Sequence, residues 1–318
     1  MSGHDQLRSS PALMRDAVAE TVLTRPWDVP MTRLVAQLFD VGRVDLTLAR
    51  LVEGHADAVR ILGEAGCPAR PGLYGVWASR SAGTGLRAER AEEGGWHLRG
   101  ELRFASGVDV VDRALVTASV DDEGHLLFDV AADRFRPDRT TWRTPAMDAS
   151  RSFTVHADLV VTEPPVGADG FYLGRRGFAL GGLGVAAVWA GGARSVVDQV
   201  AAGLSRFTPT GHQLRRVGLM AQLSWQARAV LDPVAAVLDE DADGPAHGLV
   251  AAARTTVVDA CEHVVAEAGR VVGPGGLSTD ERLARTLADL TVYVRQHHVD
   301  ATLESRGRAV LEDGEDPA

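Results

Sequence analysis

Few side chains in this chain have both the type and the spacing for chemistry. His297 and His298 are adjacent in a helical pattern, where neighbouring residues point about 100° apart, so they do not share a metal ion. Each reads as a packed or solvated histidine, unless one of them lines a pocket. His55 lies on an apolar helical face, where a satisfied core histidine is the ordinary reading. The bare run Gly273-Pro274-Gly275-Gly276 separates two long helical patterns, and "Ser278-Thr-Asp-Glu281" has capping-box spacing, which predicts a helix from about Thr279. Backbone without Cβ atoms brings its N–H groups close to a ligand or another subunit, although a plain tight turn needs the same residues. Asp280 and Glu281 would repel a phosphate at that helix start, so any anion contact belongs to the upstream glycine amides.

Composition removes several chemistries. All 33 basic residues are Arg, with no Lys, so there is no P-loop lysine and no lysine Schiff base. A net charge of −10 argues against a nucleic-acid partner or an anionic membrane surface. Cys67 and Cys261 are far apart and no zinc spacing occurs. Gly182-x-Gly184-x-x-Ala187 matches a dinucleotide fingerprint, but neither a preceding strand nor a βαβ unit surrounds it, so close helix packing is the better reading. The apolar run "GFALGGLGVAAVWAGGA" is glycine-studded and short of a membrane span, and reads as the start of a buried helix. The first residues lack an apolar signal core, so a cytoplasmic location is expected.

The elements that must position these residues follow from periodicity. Residues 1–70 are helical, with two helices clear and separated at Gly42; the second carries Val44, Leu48, Leu51, Val52, His55, Val59 and Leu62 on one stripe. Residues 71–175 form a central β domain. "LYGVWAS", "LRAERAE", "WHLRGELRFAS", "RALVTASV", "LLFDVAAD", "TWRTPAM" and "SFTVHADLVVTE" are short and bounded by turn residues, which predicts an antiparallel barrel or sandwich with a hairpin at Gly94-Gly95. Residues 176–318 are helical again, over about 182–204, 212–238, 246–272 and 279–311, which predicts a four-helix bundle. The fold class is therefore α+β. Helices of the bundle are apolar on more than one face, which predicts a dimer or tetramer.

This layout resembles the acyl-CoA dehydrogenase superfamily. "GRVDLTLARLVEGH" is similar to the family's helix before its β domain. "GVWASRSAGTG" resembles its "Thr-Glu-Pro-x-Ala-Gly-Ser-Asp" loop. "GGWHLRGELRFASGVDVVDRALVTA" resembles "Gly-x-x-Leu-x-Gly-x-Lys-x-(Trp/Phe)-Ile-(Thr/Ser)-x-Gly" followed by "Ala-Asp-x-x-Leu-Val", and "AGRVVGPGGLSTDERLARTLADL" resembles its "Gln-x-x-Gly-Gly-x-Gly" loop. The likeness spans residues from about 35 to 311.

The resemblance implies FAD as cofactor and an acyl-CoA, or another small molecule, as substrate. It implies that the glycine loop reaches the adenine-diphosphate part of a flavin bound to a neighbouring subunit. Arg270 takes the Gln position; Gly273, Gly275 and Gly276 supply the bare backbone; Arg285 and Asp289 match the Arg and Asp of the next helix. Ser106 falls where a Thr or Ser meets the flavin, and Trp77, Ala78 and Thr84 fall along the ring edge. Arg206 with Thr208 matches the pyrophosphate-contacting arginine segment.

The family's base, a Glu, is missing. Its early position falls near Val185, with no carboxylate nearby, and the later Glu-Gly motif is absent; in the flavin loop the Thr has become Ala78 and the Glu Ser79. Three readings follow. One is an acyl-CoA dehydrogenase-type oxidoreductase that removes the α,β hydrogens of an acyl thioester, with Glu304 as displaced base or a mate chain supplying one. A second is a flavin-dependent monooxygenase using a pocket histidine near the chain end, His297 or His298. The third is a non-catalytic subunit in a hetero-oligomer with a full-length homologue.

Overall fold

The computed structural model describes residues 7–79, 83–120, 124–206, 208–241 and 246–313. The chain falls into two compact units: residues 1–28, 50–144 and 148–178 form one, and residues 29–49, 145–147 and 179–318 the other.

The N-terminal segment includes α1 (Pro11–Leu23), α2 (Met31–Val44) and α3 (Leu46–Glu64), where periodicity made two helices clear. Helix α1 buries only Met14 and Val18, too thin a stripe to read. The break between α2 and α3 falls at Asp45 and not at Gly42. Buried Asp45 accepts hydrogen bonds from the Thr47 and Leu48 amides at 2.7 and 2.9 Å, which satisfies N–H groups that a helix start leaves without partners. Val44, assigned to the apolar stripe, is instead exposed.

In the first unit, β1 (Tyr74–Trp77), β2 (Gly85–Arg90), β3 (Trp96–Ala105), β4 (Arg113–Ser119), β5 (His125–Ala131), β6 (Arg136–Asp138) and β7 (Phe153–Val161) make a curled half-barrel. The order is β1-β4-β2-β3-β7-β6, with β5 on β4. The β2–β3 hairpin forms as expected, with Gly94 and Gly95 at φ 91° and 85°. The sheet is mixed rather than antiparallel: β4 runs parallel to both β1 and β2, because the hairpin is interposed before the chain returns. "TWRTPAM" is not a strand. Asp138 takes the Thr140 amide and hydroxyl at 2.9 and 2.7 Å, closing a 3-10 turn at Arg139–Thr141, a side-chain alternative to the ladder. Strand β6 lies just before it. Ala58, Ile61 and Leu62 of α3 pack with Tyr74, Leu115 and Leu127, each large side chain contributing about 1.5–3 kcal/mol through burial.

Short α4 (Phe171–Gly174) is followed by α5 (Gly177–Leu204), α6 (Gly211–Glu240), α7 (Ala246–Thr279), α8 (Glu281–Tyr293) and α9 (Val299–Asp313). Helix α5 has the length and apolarity to cross a membrane, but 78% of its most apolar window is buried inside the protein, as in a core helix. In the second unit the backbones of α2 and α5 touch. A Cβ added to Gly42 would stand 2.9 Å from Val188 Cα, and one on Gly191 would stand 2.9 Å from Arg43 N. Gly182 and Gly184 lie within α5 and pack against Arg254 and Leu38, consistent with close helix packing.

The bare run is a kink rather than a loop. Only Gly273, at φ 62° and ψ −175°, leaves the helical region before a further turn runs to Thr279. The Ser278–Glu281 capping box is not formed: Asp280 caps α8 by accepting from Leu283 N at 3.0 Å, while the Ser278 and Thr279 hydroxyls bond back to Gly275 O. The last expected helix is divided into α8 and α9 by a 3-10 turn at Val294–Gln296, after which His297 is extended.

Candidate functional site

In the first unit, β3 ends in an irregularity between Leu102 and Ala105, with Phe104 at φ 60°. This bend places Ser106 opposite β1. The Trp77 indole N–H donates to Ser106 O at 2.9 Å, and the Ser106 hydroxyl shares a 2.8 Å hydrogen bond with Ser152, which shares another with Ser150. Gly75 makes room for the indole: a Cβ there would lie 2.8 Å from Nε1. Trp77 and Ser106, 29 residues apart, are thus brought together. Ala78 and Thr84 meet elsewhere in the same unit, on a cavity of about 300 Å³ whose lining includes Gly83, Gly85, His125 and Tyr172. Residues 80–82, the middle of the expected flavin loop, lie outside the described residues. Bare backbone at Gly83 and Gly85, a threonine hydroxyl and an aromatic wall suit the edge of a flat polar ring such as a flavin.

In the second unit the kink residues Gly273 and Gly275 face open space, since an added Cβ at either meets nothing within 4 Å; Gly276 instead packs on Val272. Arg270 is ion-paired with Glu267, which also takes Arg216 at 2.5 Å. Those guanidiniums, Arg216 foremost, hold the Glu267 carboxyl below the usual range. Arg285 is half-buried and paired with Glu281 at 2.6 Å. Asp289 is fully buried and accepts from Met147 N at 2.6 Å, fastening the segment 145–147. Arg206 and Thr208 are exposed beyond the end of α5.

The second cavity, of about 860 Å³, lies where the α8–α9 break meets α7, and His297 and His298 both line it. The 100° separation of helical neighbours does not hold for them, because they sit in the break. Burial first, then the charges of Arg254 and His298, lower the His297 pKa to about 4. Its imidazole is therefore neutral at physiological pH. Nε2 lies 2.8 Å from the Thr255 hydroxyl. Thr255 carries no local sequence signal; the contact spans 42 residues. Glu304 is exposed on α9 and paired with Arg308 at 2.6 Å. His55 is a half-buried histidine whose Nδ1 accepts from Tyr74 N at 3.1 Å, and burial lowers its pKa to about 4. Cys261 is buried and its thiol pushed up by burial, so it is not a nucleophile.

Residues 168–294 match the family model described as "Acyl-CoA dehydrogenase, C-terminal domain". The chain resembles the acyl-CoA dehydrogenases in this region and in fold. Among solved structures it is similar to butyryl-CoA dehydrogenase from Megasphaera elsdenii, at 18% identity and TM-score 0.76, over 87% of this chain and 81% of that one. It is also similar to TdsC from Paenibacillus sp. A11-2, solved with FMN and indole, at 16% identity and TM-score 0.77, over 99% and 90%. A third is KijD3 in complex with FMN and a dTDP-amino-keto sugar, at 18% identity and TM-score 0.76, over 99% and 87%. No curated protein matches the sequence. On the acyl-CoA dehydrogenase fold, Val185 at the expected early base position lies half-buried in α5.

Proposed function

We propose that this chain is an FAD-dependent oxidoreductase of the acyl-CoA dehydrogenase type, acting on a small organic substrate of which an acyl-CoA thioester is the leading class. The observation that carries this reading is the gathering of flavin-loop residues: Trp77 against Ser106, and Ala78 with Thr84 on one cavity. A bound flavin supplies a hydride acceptor, its N5. Thr84 would meet the ring edge from the cavity, and Trp77 keeps the Ser106 segment in place behind β1. In this reading residues 1–70, 71–175 and 176–318 are the shortened helical domain, the β domain and a four-helix bundle. The kink at Gly273–Gly276, with Arg270, would meet the diphosphate of a flavin held by a second copy, and Arg206 with Thr208 would contact pyrophosphate. Exposed Leu214 and Trp225 on α6 suit a covered face in a dimer or tetramer.

One observation favours a second reading, flavin-dependent monooxygenation. With Glu304 exposed and Val185 at the family's base position, His297 is the neutral proton acceptor that the described residues place on a cavity.

The test is the absorption spectrum of the purified protein, followed by anaerobic addition of acyl-CoAs. A flavin spectrum bleached by an acyl-CoA supports dehydrogenation. A flavin spectrum that persists, with oxygen uptake once a flavin reductase is added, selects monooxygenation. A colourless chain that takes up neither FAD nor FMN and co-purifies with a larger homologue overturns both and leaves the non-catalytic subunit. Size-exclusion chromatography at 34 kDa would remove the homo-oligomer.

A further inference from the structure

We propose that Thr255 is a positioning residue that locks His297 in its Nε2–H tautomer and so presents the Nδ1 lone pair as a hydrogen-bond and proton acceptor at the cavity. The inference deepens the histidine reading of that site and rests on it for its catalytic meaning, but its geometry stands alone. A threonine hydroxyl has one proton and two lone pairs. The Thr255 proton is committed: Oγ1 bonds to Ala251 O, one turn back on α7, at 3.0 Å. A carbonyl oxygen only accepts, so Thr255 must be the donor there. Toward His297 Nε2, 2.8 Å away, Oγ1 then has only lone pairs to offer. The imidazole must donate from Nε2, and in a neutral ring that leaves Nδ1 without a proton. The low His297 pKa keeps the ring neutral, so both nitrogens are not protonated together.

The surroundings fit an acceptor. His297 lines the cavity, and the described residues place no hydrogen-bond partner on its Nδ1. Val258, Val299 and Leu303 give the cavity apolar wall. On its charged side, Glu262 is paired with Arg295, and Asp259 lies 3.4 Å from His263. The site therefore suits a molecule that brings an N–H or O–H donor and an apolar body, as hydroxylated or aminated organic substrates do. Thr255 acts on such a molecule only through His297.

The test is the tautomer itself, read from the imidazole nitrogens by long-range ¹H–¹⁵N correlation on the full-length protein at pH 7, with His297→Gln assigning the signals. The expected wild-type spectrum has a protonated Nε2 and a bare Nδ1. Thr255→Val, which keeps shape and removes the hydroxyl, is expected to shift the tautomer ratio about fivefold toward Nδ1–H, the change that one net hydrogen bond makes in an equilibrium constant. Thr255→Ser is expected to restore the wild-type spectrum. If Thr255→Val does not fold, the wild-type and Thr255→Ser spectra still decide the matter. A wild-type His297 carrying its proton on Nδ1, or a Thr255→Val spectrum identical to wild type, overturns the proposal. These spectra need neither flavin nor turnover, so a protein that binds no flavin would sink the proposed function and leave this inference standing.

Discussion

Glycine plays opposite parts in two regions of the second unit. At Gly42 and Gly191 it is demanded by packing: two helix backbones approach so closely that any side chain would strike main-chain atoms. At Gly273 and Gly275 the space beyond Cα is empty, and only Gly273 has a backbone angle that favours glycine. Packing within this chain explains the first pair and leaves Gly275 unexplained. The lesson is that a glycine cluster in sequence does not say whether its bareness serves the interior or something outside the chain.

The largest effect is expected where the backbones touch. Gly191→Ala should destabilise by about 3 kcal/mol or more, since overpacking against rigid backbone leaves no flexible atom to yield; chemical denaturation measures it. If Gly191→Ala folds with wild-type stability, the contrast between the two regions fails.

Next is Asp289→Ala, which removes the buried carboxylate that accepts from the Met147 amide. A loss of about 2 kcal/mol is expected, with faster hydrogen exchange at Met147. An unchanged exchange rate would show that the segment is held by other contacts.

Acid should loosen the α7–α9 side of the unit while leaving the glycine contact alone, because no histidine lies at Gly42 or Gly191. The folded His297 pKa is depressed from 6.5 to about 4. Its contribution is therefore complete above about pH 6.5 and is lost as the pH falls toward 4, where the unfolded chain binds the extra proton first. His55 acts in the same window and with the same sign in the first unit. The melting temperature is expected to drop across that range, and His297→Gln should make the drop shallower. An equally steep drop in the variant would assign the whole effect to other groups.

The smallest stability effect belongs to Gly275→Ala. In a helical turn with open space, alanine should be neutral or stabilise by up to about 1 kcal/mol. Flavin occupancy is nevertheless expected to fall, if the bareness serves a cofactor on another copy. Unchanged occupancy and unchanged oligomeric state would reduce the kink to a bend in α7.

Much of the architecture was legible in the chain. The change from period 3.6 to period 2 near Tyr74, and back near Gly177, is written in where apolar residues recur. So is the Gly94-Gly95 hairpin, because a tight turn needs positive φ. The candidate sites were legible only in pieces. Ala78 with Thr84, and Trp77 with Ser106, came from motif resemblance, and the fold brings each pair together. Thr255 was missed because its partner lies 42 residues away and its own neighbours are unremarkable helix residues.

Sequence by itself determined the order of helical and β zones, since local periodicity decides which face of each segment is apolar. It also excluded lysine chemistry outright. Only tertiary structure decided that β4 runs parallel to β1 and β2, that Gly42 sits inside a helix rather than ending one, and that the final helix breaks at His297. The first two depend on groups far away in the chain, a strand interposed and a backbone pressed close. No local pattern records what a distant residue will do.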